Sequence, residues 1–169
     1  LLLLLIVPVA AGQSTQTTSV KVYFSNNKPP NDEDCTGKVF PLTRTIPKTT
    51  AVARAALEQL LGGPTESEKA QGYWSWFTEE TKSVLLGVKV KNKTAYVNFK
   101  DLTAFQNLGN ATTSCGSQHF FAQLDKTLLQ FRGIKHVFYA IEGDPKAFYE
   151  WLQMECPKGL KNCDKTNFK

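Results

Sequence analysis

Histidine is scarce in this chain, and its scarcity limits the chemistry that the sequence can support. Only two histidines, His119 and His136, occur among 169 residues. A structural zinc site needs four ligands, most often cysteine and histidine. If the four cysteines form disulfides, zinc lacks ligands. The sequence also has no phosphate-binding loop, dinucleotide fingerprint or serine elbow. These absences exclude a zinc-dependent protein, a nucleotide-dependent protein and a serine hydrolase. We expect no cofactor.

The chain also lacks a hydrophobic run long enough to span a bilayer. Its apolar start covers Leu1–Ala11, whereas a transmembrane helix needs about 20 residues. The first residue is not Met, and the run ends in small residues that suit signal cleavage. We therefore expect residues 1–12 to be a truncated signal peptide, with a membrane anchor as the alternative. No cysteine follows the run, so a lipid anchor is not visible. Residues 13–18 form a polar spacer, and the rest is expected to work outside the cytoplasm.

Clusters of basic residues are also missing. The formal charge is +5 and the isoelectric point is about 9.0, but the lysines and arginines are scattered along the chain. A nucleic-acid-binding protein usually combines clustered charge with a recognition motif. Neither is present, so we expect no nucleic-acid partner. The net charge indicates only a general preference for anionic surfaces.

The cysteines predict disulfides. Cys35, Cys115, Cys156 and Cys163 are an even number in a chain with an export segment. Four cysteines allow three pairings. Cys156 and Cys163 flank PKGLKN, whose proline and glycine suit a tight turn, and Cys35 would then join Cys115. By the chain-entropy model, this long-range link adds about 4 kcal/mol of stability.

The first half of the folded region predicts two strands and a helix. Residues 19–25 alternate between apolar and polar, and residues 38–44 form a second extended piece in which Pro41 favours a sheet edge. The next segment has helical spacing, with Thr49 or Thr50 as its cap and Gly-Gly-Pro at its end. Its predicted buried stripe consists of Val52, Ala53, Ala56, Leu57, Leu60 and Leu61.

The second half predicts a hairpin, a helix, a strand and a short helix. The hairpin turns at Asn92 within residues 83–101, and its two apolar faces are Val84, Leu86, Val88 and Val90, then Ala95, Val97 and Phe99. Residues 112–131 are amphipathic, residues 135–143 form a strand, and Asp144-Pro145 opens the last helix. The order lacks regular βαβ alternation. It predicts an α+β domain, with a mixed sheet of about four to five strands, two main helices on one face and a short C-terminal helix.

The stretch GYWSWF, residues 72–77, carries four aromatics where a polar connection is usual. In an extended chain, Tyr73 and Phe77 share one face and the two tryptophans share the other. We predict that Tyr73 and Phe77 cover the core. The tryptophans either pack on the domain itself or meet a partner. Trp74 and Trp76 are therefore a candidate partner surface, within which we predict that Trp76 packs inward and that Trp74 stays partly exposed.

The chemical candidates are few. Cys115 and His119 lie four residues apart at a helix start, which suits a thiolate and a base, but an oxidising compartment favours a disulfide instead. A cysteine hydrolase is therefore the weakest functional hypothesis. The acidic loop Asn31–Cys35 offers oxygen ligands for calcium, yet it lacks the register of a calcium loop and is expected to be a solvated turn. We expect no catalytic residue and no metal site.

Several segments together resemble one family, the GerMN domain of sporulation and germination proteins. They are VKVYFS, the block from VFPLTR to GYWSWF, VLLGVKVKNKTAYVNF, and the segment from TTSCGSQHFF to FYAIEG. The most specific piece is LLGGPT followed by Glu68 and Gly72. The resemblance covers residues 19–151, which places a GerMN-like domain at residues 19–155 and a tail with a small cysteine-closed loop at residues 156–169.

The resemblance implies a compact α+β domain similar to ring-building modules of secretion-type assemblies. It also implies an extracytoplasmic, non-catalytic role in the bacterial envelope through protein–protein interaction, with an unknown envelope protein as partner. The alternative is a module that binds cell-wall glycan or peptide through Trp74 and Trp76. Contact with a membrane is expected only through the N-terminal segment. The chain departs from the family pattern in having one domain copy and no lipid-attachment cysteine.

Overall fold

The computed structural model describes residues 16–28, 35–101, 103–106 and 108–168. The predicted export segment, residues 1–12, lies outside these residues, and so do residues 31–34 of the acidic loop. Within the described part, no helix has both the length and the apolar character needed to cross a membrane.

The first sheet is built around the central strand β1 (Thr17–Asn26). Strand β2 (Phe40–Pro47) pairs with it antiparallel over the whole length of β2, from Phe24 opposite Phe40 to Thr17 opposite Pro47. The two-residue strand β3 (Tyr73–Trp74) pairs with the other edge of β1, at Ser25 and Asn26 only. Strand β2 is therefore an edge strand, which is the position that Pro41 predicts.

Helix α1 (Val52–Leu61) packs against this sheet, and the short helix α2 (Glu66–Ala70) follows it. Four members of the predicted stripe, Ala56, Leu57, Leu60 and Leu61, are fully buried, whereas Val52 and Ala53 are partly buried. The predicted cap is wrong, because Ala51 occupies the N-cap position and has no side-chain acceptor. The Thr49 hydroxyl instead accepts a hydrogen bond from the Ala51 amide at 3.1 Å, which closes a turn before the helix.

The second sheet has the order β4-β5-β6. Strands β4 (Leu85–Lys91) and β5 (Thr94–Phe99) form the predicted hairpin. Its turn residues Asn92 and Lys93 have φ of 50° and 61°, as a two-residue turn of type I′ requires. Strand β6 (His136–Ile141) pairs with β5 in parallel.

A bulge in β4 changes which of its side chains are buried. The register shifts between Leu85 and Gly87, so the residues on its two sides no longer follow one alternation. Val84 and Leu85 are buried, whereas Leu86 and Val90 are 45% and 49% exposed. The predicted face of Val84, Leu86, Val88 and Val90 is therefore wrong. The face predicted for β5 is buried in full.

The long helix α4 (Ser114–Leu129) contacts both sheets and is preceded by the short helix α3 (Thr103–Gln106). Phe120, Leu124 and Leu128 on α4 are fully buried. Helix α5 (Pro145–Trp151) packs on β6, and the Asp144 side chain caps it by accepting from the Lys146 amide at 3.0 Å. This N-terminus matches the prediction from Asp144-Pro145.

A polar stripe on α4 binds the free edge of β1. Gln130 accepts from the Lys21 amide at 2.9 Å and donates to the Lys21 carbonyl at 2.7 Å. Thr127 accepts from the Tyr23 amide at 3.2 Å. Farther along, His119 bonds the Ser25 hydroxyl at 2.8 Å. The helix thus satisfies backbone groups that a further strand would otherwise pair.

This stripe explains how the strands are divided. The α+β class is confirmed, but the strands form two three-stranded sheets instead of one mixed sheet. On the N-terminal side of Ser25, this edge of β1 is occupied by side chains of α4. No strand of the second sheet can therefore pair with β1 there. The two sheets share the core through α4.

Both predicted disulfides are present, Cys35–Cys115 and Cys156–Cys163. The second closes a small loop in the C-terminal tail. The tail then crosses the outer face of the second sheet, where Phe168 packs edge-on against Tyr96 at a centroid distance of 5.3 Å. The Asn98 amide donates to the Phe168 carbonyl at 3.3 Å. The tail is therefore part of the folded unit.

Candidate functional site

A tight turn at Gly72 positions the aromatic stretch. Gly72 has a φ of +89°, and a Cβ atom there would lie 2.6 Å from the Lys28 Cγ atom. Only glycine fits such a backbone without strain. The Gly72 carbonyl accepts from the Asn27 amide at 3.1 Å, and Trp74 and Tyr73 then pair with Ser25 and Asn26. The stretch is thereby held at the C-terminal end of β1.

Trp76 is the inward anchor of the stretch. It is half-buried and packs against the main core. Its indole Nε1 donates to the Gly116 carbonyl at 3.2 Å, in the first turn of α4. Gly109 passes beside its ring, since a Cβ atom there would lie 3.6 Å from it. The next residue, Phe77, is buried against Phe120 at 5.2 Å between centroids.

Trp74 is half-buried and rests on two other rings. Its centroid lies 5.4 Å from that of Trp76, with the rings at 82°, and 5.1 Å from that of His119. We call Trp74, Trp76 and His119 the tryptophan cluster. Of these two contacts, the edge-to-face one with Trp76 contributes about 0.5–1.5 kcal/mol beyond area burial, and the one with His119 is tilted at 51°. They hold the exposed part of the Trp74 ring in one orientation.

Buried hydrogen bonds hold the base of the cluster. Ser75 donates to the Gln123 side-chain oxygen at 2.5 Å, and the Gln123 nitrogen donates to the Ser25 hydroxyl at 3.1 Å. Ser25 lies 2.8 Å from His119 Nδ1. This contact between Ser25 and Nδ1 holds the His119 ring in position beneath Trp74.

The proposed thiolate at the start of α4 does not exist. Cys115 is bonded to Cys35, with 4.6 Å between their Cα atoms, so the cysteine hydrolase hypothesis is wrong. His119 contacts Ser25 instead. The Ser25 residue is 1% exposed, so this serine–histidine pair is closed to a substrate. The disulfide instead ties the first turn of α4 to the chain that follows residue 34.

The LLGGPT segment and Glu68 hold in place the part of the chain that precedes the aromatic stretch. Gly63 has a φ of +73°, and a Cβ atom there would collide with the Phe77 carbonyl oxygen. The Glu68 carboxylate accepts from the Thr65 amide at 2.8 Å and from both terminal nitrogens of Arg44, one of them at 2.6 Å. Burial raises the pKa of Glu68, but the hydrogen bonds from Arg44 and Thr65 outweigh it and hold the pKa below its usual value.

A second half-buried carboxyl, Asp125, lies away from the cluster. It accepts a hydrogen bond from the Tyr139 hydroxyl at 2.6 Å. Burial raises the pKa of Asp125 to about 6, against the opposing effects of Tyr139 and Lys126. Among the residues that the structure describes, no group of His, Cys, Asp and Glu is arranged to hold a metal ion. The tryptophan cluster therefore remains the candidate site, and its geometry suits binding.

Comparison with known proteins identifies the family. A family model described as "Germane: Sporulation and spore germination" matches residues 21–147. The chain belongs to this family. The match confirms the resemblance to GerMN domains that VKVYFS and LLGGPT indicate. It includes the whole tryptophan cluster and ends within α5, before the C-terminal tail.

Solved GerMN domains share the fold. The first GerMN domain of the sporulation protein GerM from Bacillus subtilis is 25% identical, with a TM-score of 0.50, and the match covers 75% of this chain and 84% of that one. The tandem GerMN domains of the same protein are 22% identical, with a TM-score of 0.52 over 76% of this chain. The match spans 40% of the tandem chain. No curated protein matches the sequence.

Proposed function

We propose that this GerMN domain is a non-catalytic module of the bacterial envelope that acts outside the cytoplasm by binding another envelope protein, in sporulation, germination or another envelope assembly. The observation that carries this proposal is Trp74. Its ring is half-buried, is held by Trp76 and His119, and leaves part of its surface open. Rigid tryptophans with an open face are frequent hot spots of protein interfaces.

The two disulfides support a location outside the cytoplasm. Disulfides persist in oxidising compartments and are rare in the reducing cytosol. Cys35–Cys115 joins positions 80 residues apart, and Cys156–Cys163 closes a loop in the tail. Membership in the sporulation and germination family favours a bacterial envelope as that compartment.

Binding of cell-wall glycan is the second candidate. Paired tryptophans can stack on sugar rings, but a flat platform needs their faces side by side. The planes of Trp74 and Trp76 are at 82°, and the Trp76 nitrogen is occupied by Gly116. At most the Trp74 face is open for stacking. The geometry therefore favours a protein hot spot over an extended glycan site.

A capture experiment tests the proposal. The wild type, Trp74→Ala and Leu86→Ala are each immobilised and exposed to envelope extract of the source organism and, separately, to isolated peptidoglycan. Leu86 is an exposed apolar control on β4. We expect an envelope protein to bind the wild type and Leu86→Ala but not Trp74→Ala. Loss of peptidoglycan binding in Trp74→Ala would instead support the glycan candidate. If Trp74→Ala captured envelope proteins and peptidoglycan as the wild type does, both candidate functions would be refuted.

A further inference from the structure

Two loops meet at the end of the molecule where β5 and β6 begin. The Lys93 carbonyl accepts from the Lys135 amide at 2.6 Å and from the His136 amide at 3.2 Å. The β4–β5 turn and the loop between α4 and β6 therefore form one surface. Its exposed cations are Lys91, Lys93, Arg132 and Lys135, which we call the basic end. Within the described parts of the chain, none of these four side chains has a carboxylate partner.

Exposed apolar side chains lie beside these cations. Val90, next to Lys91, is 49% exposed, and Leu129, three residues before Arg132, is 40% exposed. Val90 lies opposite Ala95 in the hairpin, so it sits at the turn end of the sheet. Leu129 is one helical turn beyond Asp125, whose side chain meets Tyr139 of β6. It therefore lies towards the start of β6, near the same end.

The N-terminal side of β1 lies at this end too. Lys21 bonds Gln130, whereas Ser25 bonds His119, so β1 runs antiparallel to α4. Thr17 is thus at the C-terminal end of α4, where Arg132 and Lys135 follow. The tryptophan cluster is at the opposite end of β1.

We propose that the basic end docks onto an anionic phospholipid bilayer and that the tryptophan cluster faces away from it. Each lysine or arginine near an anionic bilayer surface favours binding through charge. Exposed apolar side chains among those cations can be buried in the bilayer interface. This burial strengthens binding to a bilayer but not to a phosphate polymer in water. This proposal assigns a second surface, distinct from the protein-binding surface around Trp74.

Vesicle binding of the full chain tests this surface. The patch variant Lys93→Gln/Arg132→Gln/Lys135→Gln is compared with a control variant, Lys28→Gln/Lys38→Gln/Lys100→Gln. The control removes three exposed charges near the opposite end, so both variants have the same net charge. Sedimentation measures partitioning to vesicles of equal parts phosphatidylglycerol and phosphatidylcholine, and to phosphatidylcholine alone. The apolar N-terminal run is common to all samples and contributes equally to each.

The patch variant is expected to bind the anionic vesicles on the order of 100-fold more weakly than the wild type. The control variant and Trp74→Ala should stay within a few-fold of it, and only the patch variant should lose the salt dependence of binding. Equal losses in the patch and control variants would show that net charge alone acts. Wild-type binding by the patch variant, or binding of soluble polyphosphate without preference for anionic vesicles, would overturn the proposal.

Discussion

At the scale of single residues, the polar side chains of α4 have the most constrained positions. Gln123 is fully buried, accepts from Ser75 and donates to Ser25. Gln123→Leu leaves both hydroxyls without this partner, and an unsatisfied buried polar group costs about 1–3 kcal/mol. We expect a loss of stability of this size in denaturant unfolding. Gln118→Leu on the exposed side of α4 is the control and should stay within about 0.5 kcal/mol of the wild type.

Asp125 gives a second prediction at this scale. Its pKa is raised by burial from 3.8 to about 6 in the folded chain, so the folded state binds the proton more tightly than the unfolded state. Stability from this group is present below pH 3.8 and is lost as the pH rises through about 6. Relative to Asp125→Asn, the wild type should lose about 3 kcal/mol across that window. A pH-independent difference between the two proteins would contradict the assignment.

At the scale of elements, α1 supplies a direct test of the core. Leu57 is fully buried within the stripe that faces the first sheet. Leu57→Ala is expected to cost about 2–5 kcal/mol, as large-to-small core substitutions do. Leu86→Ala, which removes a 45% exposed leucine, should have little effect on the unfolding midpoint. Equal unfolding midpoints for Leu57→Ala and the wild type would show that the apolar stripe of α1 does not pack in the hydrophobic core.

Local sequence patterns predict the elements that depend on local chemistry. Helix α1 follows from its spacing of apolar residues, α5 from Asp144-Pro145, and β5 from its alternation. The bulge at Leu85–Gly87 defeats the alternation in β4, because one extra residue reverses the faces beyond it.

The site was predictable to a similar degree. The extended pattern of GYWSWF predicts that Phe77 faces the core. It places both tryptophans on one face, so it does not by itself separate the inward Trp76 from the partly exposed Trp74. The contact of Trp74 with His119 and the pairing of Arg44 with Glu68 join residues far apart in the chain. For the contact with His119, the only local signal is a row of polar residues at helical spacing on a buried face of α4, namely His119, Gln123 and Thr127. That pattern indicates that these polar side chains have buried partners, but it does not indicate that the partners lie on β1.

At the scale of the whole molecule, α4 links two ends of different character. One end carries the tryptophan cluster over a network of buried hydrogen bonds. The other carries Lys93, Arg132 and Lys135 around a backbone junction. The proposed partner-binding and membrane-facing surfaces are thus separated along the length of α4. Variants at one end are expected to leave binding at the other unchanged.

The central claim is that the surface around Trp74 contacts another envelope protein. Photo-crosslinking in cells of the source organism tests it most directly, with benzoylphenylalanine placed at Trp74 in one strain and at Leu86 in another. The half-buried ring at position 74 lies beside Trp76 and His119, so an aromatic crosslinker at this position can make similar ring contacts. The account predicts a discrete crosslinked envelope protein from position 74 that is absent from position 86. Equal crosslinking at both positions, or none at position 74, would contradict it.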